Sequence, residues 1–328
     1  MFDIITFGSA FKDTTIKSKG LKTVKYPSKI VPGEGFCLPM GSKVELDEMY
    51  FNTGGGGTNT AATFSLQGFK TAFLGTIGND SAGQEVIVYL YKFGIDTKFV
   101  IKNHHLPTSQ SIIILDEAGG RTILFYGGAS SVVSKKNISW GELHSKWFYI
   151  APLTGSFISV FEQIIDFANV NKIKVAINPS LQQLSLSNKI LVTVCKKIDV
   201  LFLNQEEASF LTNVPFQKEK AIFKKIDQMC LGVAVMTKGG DGVVVSDGKF
   251  LYSAKPNPKR KIIDTTGAGD SFASGFLSDF IRTNGDIEKA IQLGMANSQG
   301  CLSEIGAKNG LLKKGKKFEK VKVFKRKI

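Results

Sequence analysis

Asp264-Thr265-Thr266-Gly267-Ala268-Gly269-Asp270 is a loop of small residues closed at both ends by an acid. Directly beyond it, apolar residues recur at helical spacing, which predicts a helix over Asp270–Arg282. Two glycines and an alanine let the backbone turn tightly and come close to a ligand. The N–H groups of Gly267, Ala268, Gly269 and Asp270 would converge at the helix N-terminus, where an anion is stabilised. A transferring phosphoryl group, with its charge spread over three equatorial oxygens, suits such a cradle. An aspartate beside those donors can take the proton from an attacking hydroxyl. A simple Asp-capped helix would need only one of the two acids. Acids at both ends with small residues between them favour chemistry.

Upstream, strand and helix signals alternate. Strands are predicted at Ile4–Phe7, Thr71–Thr76, Trp147–Ile150, Lys174–Ile177, Val200–Leu203 and Val233–Thr237. Helices are predicted at Thr58–Gln67, Ser81–Phe93, Ile158–Val170, Gln205–Thr212 and Ile287–Leu302, and a hairpin from Gly242–Ser246 and Lys249–Ser253. This alternation argues for an α/β, doubly wound fold: a mostly parallel sheet with helices on both faces. Two stretches differ. Thr108–Leu115 and Arg121–Phe125 are β-rich runs joined by Asp116-Glu117-Ala118-Gly119-Gly120, which reads as an antiparallel hairpin. Asp13 to Tyr50 is poor in helix pattern and is punctuated by Pro27, Pro32, Gly33, Gly35 and Pro39. Segments at about 13–50 and 97–127 should therefore fold together as a small β-rich lid on a single domain spanning 1–312, with a basic C-terminal tail at 313–328.

Ligands of doubly wound sheets bind at the carboxyl ends of the strands, so the strand-to-helix junctions are where chemistry belongs. Asn52-Thr53-Gly54-Gly55-Gly56-Gly57-Thr58-Asn59 opens one helix; Asn59 offers a donor and acceptors, as a polyhydroxylated substrate requires. Asn204-Gln205-Glu206-Glu207 follows a strand. Its Asn and carboxylate could organise Mg²⁺ beside a triphosphate, or could cap the helix and favour its dipole. Thr237-Lys238-Gly239-Gly240-Asp241-Gly242 could present a hydroxyl and backbone to a nucleotide, or form a hairpin turn. Gly310 to Lys316 has P-loop spacing, but Lys317 stands where Ser or Thr would hold Mg²⁺ and no strand leads in. No dinucleotide fingerprint follows a strand, which counts against an NAD enzyme.

Composition limits the remaining classes. With 328 residues, 43% hydrophobic and 21% charged, the chain reads as an ordinary globular protein. No apolar run approaches the roughly 18–20 residues of a membrane span. The first residues read as a strand rather than a leader, so a cytoplasmic protein is expected. Cys37, Cys195, Cys230 and Cys301 are scattered, and His104, His105 and His144 show no ligand spacing. The formal charge of +14 is densest between Lys313 and Lys327 and reads as a solvated tail, not a dedicated nucleic-acid arm.

Taken in order, these clusters resemble the ribokinase-like (PfkB) family of carbohydrate kinases over about residues 3 to 312. The Asp-Thr-Thr-Gly-Ala-Gly-Asp stretch is the most specific part of the likeness. The resemblance implies transfer of the ATP γ-phosphoryl group to an alcohol with Mg²⁺. It implies Asp270 as base and Gly267, Ala268 and Gly269 as the anion hole, with Glu207 and Asn204 on the Mg²⁺–phosphate assembly. Thr237, Gly239 and Asn297 would meet the nucleotide; Asp13, Gly55, Gly57 and Asn59 the substrate. Asp264 falls where some members bind a monovalent cation, so K⁺ activation is implied. The stretch Ala151 to Ser156 lacks the carboxylate with which ribokinases hold their substrate, and the lid segment Ser18 to Tyr50 is longer than usual. The leading substrate is a sugar or sugar acid. A nucleoside, packed against Phe36, Phe51, Phe125 or Tyr126, is the alternative, and a catalytically silent binding protein a third reading. Exposed lid edges could pair two copies into a homodimer.

Overall fold

A strand buried on both faces reads as a continuous apolar run. β1 (Phe2–Phe7) is one: Ile5 and Phe7 pack into one apolar layer and Ile4 into the opposite one. The structure, a computed structural model, describes residues 1–26, 33–38, 40–115, 121–259 and 262–328. The turn read at Asp116 to Gly120 and the prolines Pro27, Pro32 and Pro39 lie outside them.

After β1 come β2 (Phe11–Lys17), β3 (Lys22–Tyr26), β4 (Gly33–Cys37), β5 (Glu48–Gly54) and α1 (Gly56–Leu66). Next are β6 (Thr71–Gly78), α2 (Ser81–Lys92), β7 (Val100–Asn103), β8 (Ser109–Leu115), β9 (Arg121–Tyr126) and β10 (Ser145–Ile150). The middle of the chain holds α3 (Phe161–Val170), β11 (Lys174–Ile177), α4 (Leu181–Leu184), α5 (Asn188–Cys195), β12 (Val200–Asn204), α6 (Gln205–Thr212) and α7 (Glu219–Met229). The last part holds β13 (Val233–Thr237), β14 (Val243–Ser246), β15 (Phe250–Ala254), α8 (Ala268–Arg282), α9 (Ile287–Leu302) and β16 (Val323–Lys327).

The described residues form a ten-stranded sheet in the order β16-β15-β14-β13-β12-β11-β10-β1-β6-β7. It is parallel from β13 through β7 and antiparallel from β13 to β16. Side chains alternate across it, as strand geometry demands. Phe148, Ile150, Leu201 and Leu203 enter the layer under α3 and α7; Tyr149, Val200 and Phe202 enter the layer under α8 and α9. Phe64, Phe202 and Phe276 ring Tyr149 and its neighbours there, each such side chain contributing about 1.5–3 kcal/mol by its burial.

A second sheet, β5-β2-β8-β9, joins the two helix-poor stretches into the expected lid. β2 runs antiparallel to β5 and parallel to β8, and β8 and β9 form the antiparallel hairpin. β3 and β4 pair separately.

Several expectations are corrected. The helix read from Ile158 begins as a 3₁₀ turn over Gly155–Val160 before α3. β7, α4, α5 and α7 were not read from the sequence. The basic tail is not simply solvated: Val323–Lys327 pairs antiparallel with β15, and the Lys325 ammonium sits 4.3 Å from the Phe250 ring centroid. Its charged, exposed side chains mask the strand pattern, as suits a sheet edge protected from further pairing. No helix among the described residues is long and apolar enough to cross a membrane.

Candidate active site

The small-residue loop enters α8 through Gly267, whose φ of 76° lies in the left-handed region. A Cβ there would also stand 2.5 Å from that of Ala307, so only glycine fits. Buried Asp264 holds the loop: its carboxylate accepts from Thr266 N at 2.8 Å and from Gly306 N at 2.9 Å. In front of Gly269 the space is open; a Cβ would meet nothing within 4 Å. Ala268 N donates back to Thr265 O at 3.4 Å, while the N–H groups of Gly269 and Asp270, in the first turn, have no intrahelical acceptor.

The N-terminus of α1 converges on the same point. Asn59 is buried, and its Nδ2 donates to Asp270 Oδ2 at 2.9 Å. Its Oδ1 is buried without a hydrogen-bond partner. A Cβ on Gly56 would come within 3.4 Å of Asp270 Oδ1. Burial pushes the Asp270 carboxyl above the usual range, opposed by the Asn59 amide and by the Lys308 ammonium.

Asp13 lies on β2, buried, and accepts from Ser111 Oγ on β8 at 2.7 Å. Its carboxyl rests on Gly54, where a Cβ would meet Oδ2 at 1.9 Å. Burial raises its pKa as well; Ser111 and Lys308 oppose the rise, and Asp264 adds to it. Gly55 caps α1 with φ 94°, and Gly57 presses α1 onto the end of β1, where a Cβ would meet Phe73 at 2.6 Å and Gly8 at 2.9 Å. Close packing on Phe73 and Gly8 therefore requires glycine at 57.

Farther along the sheet, β12 and β13 end in register, with Asn204 opposite Thr237. Asn204, Thr237 and Gly239 line one groove of about 350 Å³ together with Gln205, Phe216 and Lys238. Asn204 and Glu207 form a reciprocal capping box: Asn204 Oδ1 accepts from Glu207 N at 2.8 Å, and Glu207 Oε2 from Asn204 N at 2.8 Å. Burial raises the Glu207 pKa against that hydrogen bond. Asn297 is a correction. It is fully buried, donates to Ser271 O and Thr63 Oγ1, and accepts from Leu312 N, so it locks α9 to α8 and α1 from inside and does not line the groove.

Sequence reading missed Ser111, Gly56 and Lys308. Lys308 lies in no motif of the sequence, just ahead of the tail lysines, and only the fold turns it inward. Among the lid aromatics, Phe51 and Tyr126 share a face with Lys12 and Ile112, away from Asp13. Phe125 is opposite Ser111 and shares the face of Asp13, and it is 74% exposed. Arg121 of β9 donates to Thr265 Oγ1, joining the lid to the loop before α8.

A buried carboxylate at two converging helix N-termini, on a doubly wound sheet under a β-lid, is the architecture of a small-molecule phosphotransferase. Residues 30–314 match the pfkB family carbohydrate kinase, and the chain belongs to that family. Its enzymes transfer a phosphoryl group to an alcohol, and so does this one. A ribokinase of Staphylococcus aureus is 26% identical over 288 residues, 84% of this chain and 90% of its own length. Arabidopsis thaliana ribokinase, solved with ribose and ATP, superimposes with a TM-score of 0.74 at 20% identity, covering 95% of this chain and 96% of its own. The nucleoside kinase of Methanocaldococcus jannaschii gives a TM-score of 0.72 at 22% identity, covering 94% of this chain and 95% of its own.

Proposed function

We propose that the chain moves the γ-phosphoryl group of ATP to a hydroxyl of a free sugar, with Asp270 as the base. The observation that carries this reading is the Asn59–Asp270 contact at the mouth of α8, beside Asp13. In this scheme Asp13 and the free Oδ1 of Asn59 accept hydrogen bonds from sugar hydroxyls and set the orientation. Asp270 removes the proton as the alcohol attacks, and the N–H groups of Gly267, Ala268 and Gly269 hold the charge that develops on the phosphoryl oxygens. The raised pKa of Asp270, caused by its burial, makes its carboxylate a better proton acceptor than an ordinary aspartate. ATP lies along the groove of Asn204, Thr237 and Gly239.

Among the described residues no three His, Cys, Asp or Glu side chains gather to hold a metal by themselves. Mg²⁺ commonly takes one or two carboxylates plus phosphate and water oxygens. Glu207, with Oε2 in the cap, has Oε1 to offer to such a shell, so the residues fit an ion carried by ATP. When bound, that ion supplies neutralisation of phosphate charge. A K⁺ at Asp264 would share a carboxylate that already accepts two backbone N–H groups; turnover with and without K⁺ tests it.

A nucleoside acceptor is the second reading, favoured by Phe125, whose exposed ring on the Asp13 face could stack on a base. The opposite lid face carries exposed Phe51, Ile112 and Leu124, a surface a second copy could cover; sedimentation would show whether a homodimer forms. ADP release measured over a panel of free sugars, sugar acids and nucleosides tests the reaction. Turnover of none of them by a protein that still binds ATP would sink the kinase reading and favour a silent binding protein.

A further inference from the structure

The loop Ile305-Gly306-Ala307-Lys308 after α9 is fastened to the anion cradle, Gly306 through Asp264 and Ala307 against Gly267. That fastening turns Lys308 inward. The residue is 7% exposed, and its Nζ donates to Thr53 O at 2.6 Å. Thr53 stands just before Gly54 and Gly55, where the lid strand β5 gives way to α1, so the contact reaches the junction between lid and body. An ammonium has three donors, and this carbonyl takes one.

A lone buried ammonium is strongly unfavourable without a countercharge. Asp13 and Asp270 supply it through space, opposing the burial that pushes Lys308 down to about 7. Neither makes a direct hydrogen bond to it. The other titratable groups around the cluster are Asp264, which acts on Asp13, and Cys301 and Tyr149, both of which feel Asp270. Two buried carboxylates facing one alcohol would resist ionising together unless a cation lay between them. The reaction needs both charged: one to orient a hydroxyl, the other to take its proton.

We infer that Lys308 is a positioning residue of the transfer centre, its buried ammonium serving as the shared counter-ion of Asp13 and Asp270 and held in place by Thr53 O at the junction of lid and body. The inference rests on the kinase reading for its purpose, though not for its physics. The test is therefore a titration of aspartate carboxyl ¹³C shifts in the ligand-free protein, with Asp13→Asn and Asp270→Asn assigning the signals. Lys308→Met removes charge and hydrogen bond, Lys308→Gln removes charge and keeps a donor, and Lys308→Arg keeps charge. The Asp270 midpoint should rise by about one pH unit or more in the Met and Gln variants and stay near wild type in the Arg variant. Circular dichroism checks that each variant is folded. Equal midpoints in wild type and folded Lys308→Met would overturn the inference. So would a Gln variant that matched wild type, because the tie alone would then explain the lysine. A shifted midpoint in a protein that releases ADP with no member of the panel would leave the counter-ion standing and remove the reaction.

Discussion

Asp270 carries a charge where charge is costly. Its folded pKa is raised, so its protonated form is favoured by folding; the stability it contributes is full below the ordinary value of 3.8 and is lost as pH rises through the raised value. Above that raised value the ionised carboxylate weakens the fold. Asp270→Asn should raise the thermal midpoint at pH 7 while lowering the turnover rate by about 10²–10⁴ with ATP binding kept. Wild-type kcat/KM should fall on acidification at a higher pH than an ordinary aspartate dictates; a limb near 3.8 would contradict the burial described. Phe125→Ala separates the two acceptor classes. It should raise KM for a nucleoside by about 5- to 150-fold, the equivalent of about 1–3 kcal/mol of stacking, and leave KM for a free sugar almost unchanged. Asp270 was legible in the sequence because the chemistry sits on consecutive residues. Lys308 was not, because its partners Thr53, Asp13 and Asp270 come from three distant segments.

At the scale of elements, α6 and α9 teach opposite lessons. The Asn204-x-x-Glu207 spacing admitted both a cap and an ion site, and the structure contains the cap. Glu207→Gln keeps an acceptor for Asn204 N–H and removes the charge. Little change in stability with a weaker response of ATP affinity to Mg²⁺ is expected, measured by calorimetry across Mg²⁺ concentrations; an unchanged response would restrict Glu207 to the cap. Asn297 lies in the middle of α9, where nothing in the sequence shows which way it faces. Asn297→Ala strands Leu312 N–H in the interior and should cost about 1–3 kcal/mol in urea unfolding, with no change in ATP affinity measured at low urea. The helices α1, α2, α8 and α9 were readable to within about two residues, whereas α3 began three residues later than read and α7 was missed. The short α4 and α5 were not readable, since a few residues carry too little periodicity.

For the whole molecule, alternation of strands and helices was enough to give the doubly wound sheet, and two helix-poor stretches gave the lid. Strand order was not available from local pattern, because it depends on which buried faces meet. The lid's two faces were also beyond reach: only the pairing of β8 with β9 puts Phe125 with Asp13 and turns Tyr126 away.

The position of β1 has a kinetic side. Ile4 finds Thr71 on one edge and Trp147 on the other, so the strand's two neighbours lie far along the chain. Parallel pairing across such loops closes late, since chain entropy is lost before the contacts return it. Until β10 arrives, Phe2, Ile4 and Ile5 have an open edge beside them, and a half-built sheet is a surface other chains can join. The same central strand that makes the finished sheet continuous sets the interval during which the protein depends on dilution or on chaperones.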